Sequence, residues 1–73
     1  MPRYPELPPH RVVAALERLG FYVRSRRGSH MVMRRDDPFA QTVVPWHRTV
    51  KPVILSEILR QAGVSLEEFL KLV

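Results

Sequence analysis

A chain of 73 residues has room for one small core and a shallow surface site, which excludes a deep, enclosed cofactor pocket. The absence of cysteine excludes disulfide staples and thiolate metal sites, and no run approaches the roughly 18 apolar residues of a membrane span. Twelve Lys plus Arg against seven Asp plus Glu leave +5, and ten of those bases fall in residues 1–51, so the positive field belongs to the first two-thirds of the chain.

Ten of the twelve bases are arginine. Its planar fork matches phosphate bidentately, so the charge favours nucleic acid over the alternative of a merely soluble basic surface. The N-terminal MPRYPELPPHR lacks the apolar core of a signal peptide, and the expected compartment is the cytoplasm. The expected organisation is a single domain over residues 1–73.

In chain order, the proline-rich start reads as an extended lead-in. Pro8 and Pro9 suit the first turn of a helix running to about Leu19, with Val12, Val13, Leu16 and Leu19 inward and Gly20 as its left-handed terminator. Phe21 to Arg26 alternates with period two, and Gly28-Ser29 is placed to be the turn of a hairpin whose second strand opens at His30 and ends at Arg35. Strict alternation puts Phe21, Val23, Met31 and Met33 on the core face. It puts Tyr22, Arg24, Arg26, His30, Val32 and Arg34 on the wet one.

Asp36-Asp37-Pro38 makes a turn, and Gln41 to Pro45 supplies a third strand. The loop from Pro45 to Lys51 concentrates Trp46, His47 and two bases, content common in functional loops. Pro52 opens a second helix ending at Gly63, and Ser65 with Glu68 forms a capping box for a short last helix carrying Leu66, Phe69, Leu70 and Val73. The order is α-β-β-β-α-α. This is an α+β fold in which a three-stranded antiparallel sheet carries its helices on one face, as in the double-stranded-RNA-binding domain, and leaves the other face open.

The segment Arg24 to Arg35 holds one histidine among five arginines and no carboxylate, which delivers a titratable group into a positive surface and suggests chemistry on a polyanion. Metal-free RNA cleavage needs the 2′-hydroxyl deprotonated, the phosphorane charge stabilised and the leaving oxygen protonated. An imidazole serves as base or acid at neutral pH, so His30 is the candidate catalytic residue. Arg24, Arg26 and Arg34 are the expected phosphate contacts, with Ser29 and His47 as further RNA-binding candidates, and Arg27 and Arg35 weaker ones. Histidines at 10, 30 and 47 show no ligand spacing, and three glycines cannot make a phosphate-cradling loop. No metal and no small-molecule cofactor are expected.

Gly20-Phe21, Gly28-Ser29-His30, Val44-Pro45-Trp46-His47 and the stretch from Leu55 to Gly63, in this order and spacing, resemble the HicA (YcfA-like) toxins over nearly the whole chain. The resemblance implies a small ribonuclease that cleaves mRNA, a fold like the double-stranded-RNA-binding domain, and a HicB-type antitoxin that blocks it, with His30 at the position of the family's catalytic histidine. Pro52, Trp46 and the long lead-in depart from the family pattern. Two alternatives stay open on the residues themselves: a non-catalytic RNA-binding module of the same fold, and an adaptor whose basic face docks an acidic partner.

Overall fold

The computed structural model describes residues 3–73, so the first two residues of the proline-rich lead-in lie outside it. The elements are α1 (Pro9–Arg18), β1 (Tyr22–Arg27), β2 (His30–Asp36), β3 (Phe39–Pro45), α2 (Pro52–Ala62) and α3 (Leu66–Leu70). The sheet is antiparallel in the order β1-β2-β3, and the α+β order is the expected one.

Each helix begins and ends for a local reason. Pro9 and Pro52 stand in the first turns of α1 and α2, where a missing N–H leaves no bond unmade. Beyond α1 the chain reverses through Gly20 at φ 94°; the Gly20 N–H donates to the Glu17 carbonyl and the Phe21 N–H to that of Leu16, both at 3.0 Å. That pair of bonds absorbs two orphan carbonyls and carries Phe21 back against Leu16. Ser65 and Glu68 cap α3 reciprocally as expected.

The core is one cluster between the sheet and the helices. Val12, Ala15 and Leu16 of α1, Leu55, Ile58, Leu59 and Ala62 of α2, and Phe69 of α3 close over Met31, Met33, Ala40 and Val44. Thr42 is the buried polar residue of this face, and its hydroxyl donates to Gln61 Oε1 at 2.9 Å. The helices lie mainly over β3, and every residue of β1 is exposed. Val23, expected in the core with Phe21, is therefore 42% exposed whereas Phe21 is buried. Its side of the sheet is right, but the helices pack mainly over β3, at the opposite edge.

The lead-in is tied down. Leu7 is buried and forms an isolated antiparallel bridge to Val50, with its N–H donating to the Val50 carbonyl at 3.1 Å and the Val50 N–H returning at 2.7 Å. Thr49 adds a side-chain bond to the Leu7 carbonyl at 3.2 Å. The loop between β3 and α2 is thus anchored from the start of the chain. Among the described residues no helix is long and apolar enough to cross a membrane.

Candidate functional site

The Gly28-Ser29 step turns the chain from β1 into β2, with Arg27 and His30 as the pair that closes the ladder. Gly28 has φ 55°, and no non-glycine among the described residues has a positive φ. Glycine alone in the first position is what a two-residue turn of this hand demands. His30 is consequently the first residue of β2, exposed, with Arg27 opposite it on one side and Pro45 on the other. The Trp46 N–H donates to the Ser29 carbonyl at 2.6 Å, so the half-buried Ser29 joins the hairpin turn to the loop after β3.

The ladder slips at Arg24. Val23 pairs with Met33 but Ser25 pairs with Val32, which leaves Arg24 as an extra residue in a bulge. One inserted residue exchanges the two faces for everything beyond it. This corrects the facing expected from strict alternation. Arg26 lies opposite Met31, on the core side of the sheet, with its guanidinium 5.6 Å from the centroid of the Trp46 ring. Arg27 takes the open-face place beside His30, its Cα within roughly 4.5–5.5 Å of the histidine's as cross-strand partners are.

Arg34 keeps the expected face but stands four residues along β2 from His30, roughly 13 Å away at the rise of a strand. There its Nε donates to Asp36 Oδ1 at 2.7 Å, and its guanidinium lies 5.2 Å from the Phe39 ring centroid. The Tyr22 hydroxyl donates to the same carboxylate at 3.0 Å. Loss of water around the phenol, and then that bond to Asp36, raise the Tyr22 pKa above its ordinary value.

Past Pro45 the open face continues into a shallow groove of about 340 Å³ lined by Pro45, His47, Arg48, Thr49, Lys51 and Ile54. His47 is exposed, and its Nε2 accepts from Arg48 Nε at 2.9 Å, which leaves the two terminal guanidinium nitrogens outside that bond. A second groove of about 350 Å³, slightly larger and more open, is lined by Arg3, Tyr4, Pro52, Val53 and Ser56 and contains no residue of the hairpin turn. Proximity to His30 rather than size distinguishes the two.

The sequence holds no Asp or Glu from Arg18 to Arg35, nor from Pro38 to Ser56. The turn end of the hairpin and the groove are built from these two stretches. Among the described residues no group of three or more His, Asp or Glu is placed to hold a metal ion. The arrangement offers the exposed His30 imidazole, Arg27 across from it, and a basic groove beyond that holds the exposed His47. Guanidinium and ammonium groups on either side of an imidazole are chemically able to bind phosphate beside a group that can carry a proton.

His30 at the head of β2 and the loop bearing His47 are both legible in the sequence. The place of Arg27 beside His30 is not legible there, because an unbroken alternation hides the bulge and favours Arg26, and no sequence signal singles out Arg48 or Lys51. Residues 9–64 match the family described as HicA toxin of bacterial toxin-antitoxin, a stretch reaching from the first residue of α1 to just past α2 and including His30, Arg48 and Lys51. No curated protein matches the chain.

Proposed function

The chain belongs to the HicA toxin family, and from that premise we propose that it is an endoribonuclease that cleaves mRNA by metal-independent acid–base chemistry at His30. The observation that carries the reading is the exposed imidazole at the carboxylate-free end of the sheet, with Arg27 directly across the ladder. In this mechanism His30 takes the proton of a 2′-hydroxyl. The 2′-oxygen attacks the adjacent phosphorus, and the bond to the 5′-oxygen breaks with that oxygen receiving a proton from solvent. Arg27 balances the charge that builds on the non-bridging oxygens, where a preorganised donor acts most strongly. The products are a 2′,3′-cyclic phosphate and a 5′-hydroxyl.

The cytoplasm, where mRNA is translated, is the proposed place of action, and the whole chain acts as one HicA-like domain. A HicB-type antitoxin is the proposed inhibitor. An acidic surface laid over the His30 end would cover the imidazole and occupy the same cations as RNA.

The test is incubation of purified protein with a long RNA in EDTA, wild type beside His30→Ala, both checked for fold. Wild type is expected to cut and to leave cyclic phosphate ends. The variant is expected to lose at least about a hundredfold in rate while still binding RNA. Equal cutting by both would remove His30 from the chemistry, and binding without cutting by either would favour the RNA-binding module.

A further inference from the structure

We propose that the groove between the end of β3 and α2 is a nucleotide subsite, taking one unstacked nucleotide of single-stranded RNA next to the linkage whose 2′-hydroxyl His30 deprotonates. Its base lies against Pro45 and Ile54, and its phosphate on Arg48 and Lys51. The assignment rests on the ribonuclease reading for its place in the reaction, but its own support is separate.

Continuity is the first support. Pro45 is the cross-strand partner of His30 and also a wall of the groove, so a strand that crosses the sheet from Arg27 over His30 meets the groove at the next step. Composition is the second. Two permanent cations and two apolar walls share one concavity, and among the described residues neither Arg48 nor Lys51 is in an ion pair with a carboxylate. A phosphate with an attached planar, apolar-faced ring is what such a lining complements.

Exposure is the third support. Leu55, Ile58 and Leu59 of α2 are buried, but Ile54 is 44% exposed on the groove, an apolar wall that packing of the core does not require. The volume of about 340 Å³ lies at the small end of ligand sites. In a duplex the bases are stacked and paired, and their faces cannot reach such a wall, so the subsite selects single strands.

Binding is measured with full-length His30→Ala protein, which leaves the RNA intact, by fluorescence anisotropy of a single-stranded oligoribonucleotide over a range of salt. The double variant Arg48→Gln, Lys51→Gln is expected to weaken binding by about tenfold or more and to flatten the salt slope by about 0.7 for each phosphate no longer neutralised. Ile54→Ser is expected to weaken single-strand binding severalfold with the slope unchanged, and to leave duplex binding as it was. Val53→Ser, in the other groove, is the control. The Ile54 methyl resonances of the unsubstituted groove are expected to shift on titration with the single strand.

Ile54 methyls that stay still, or groove variants that bind like the parent, would overturn the subsite even if wild type cuts RNA in a His30-dependent way. Duplex RNA that binds as tightly and depends equally on Ile54 would also overturn it. If instead wild type cuts nothing but binding depends on the groove as described, the subsite stands and the catalytic reading falls.

Discussion

The two ends of the open sheet face use the same residue types to opposite effect. At one end Arg34, Tyr22 and Asp36 close on one another, with Phe39 beneath the guanidinium, so the positive charge is answered within the molecule. At the other end Arg27, Arg48 and Lys51 come from stretches without a carboxylate, and among the described residues none of the three is in an ion pair. The proposed reaction belongs to the end whose cations have no carboxylate partner, and the end with its charges paired has no part in it.

The largest expected effect that would sharpen this contrast is in a pair of variants. Arg27→Ala should lower cleavage by roughly tenfold or more, as removal of a charge-stabilising donor does, with melting temperature scarcely changed. Arg34→Ala should leave cleavage close to wild type and lower the melting temperature slightly, since an exposed ion pair contributes little to stability. Single-turnover rates and thermal melts on both proteins check this. Equal loss of rate in the two variants would break the distinction between the ends.

A smaller effect is expected from deleting Arg24. The pairs on either side of the bulge, Val23 with Met33 and Ser25 with Val32, are then in regular succession, so the deletion should preserve the hairpin and keep Arg27 opposite His30. Cleavage near the wild-type rate is the expected result, with a salt slope of binding that falls by no more than the value for a single phosphate, about 0.7. A collapse of activity in a folded protein would show that Arg24 itself contacts the RNA.

The smallest effect belongs to the Glu57–Arg60 pair on the outside of α2, far in character from either end. The bond to Arg60 holds the Glu57 carboxyl below its ordinary value. Its stabilising contribution is therefore present above the unfolded pKa and fades as pH falls through the folded one. Glu57→Gln should leave RNA cleavage unchanged and remove a slight acid-side dependence from the pH profile of melting temperature.

How much of this was legible in the sequence depended on whether the cause was local. Pro9, Gly20, Pro52 and the Ser65–Glu68 box act through neighbouring backbone, and they marked the helices within a residue or two. His30 at the head of its strand was legible because Gly28-Ser29 fixes the turn. The bulge was not, since in Arg24-Ser25-Arg26-Arg27 a strand in either phase presents arginine to the open face. Val23 was misread because its exposure depends on where the helices end over the sheet. The groove joins residues after β3 to the first turn of α2, and only the folded backbone shows that Arg48, Lys51 and Ile54 share a wall with Pro45.

The bridge between Leu7 and Val50 ties the basic loop to the opening of the chain, and the Thr49 bond to the Leu7 carbonyl spans 42 positions of sequence. Closing a span of that size costs entropy that only the intervening helix and sheet can offset. A chain lacking Leu7 would leave the Val50 N–H and carbonyl without these partners, and the loop bearing Arg48 would be held from β3, α2 and the Trp46 bond to Ser29 alone.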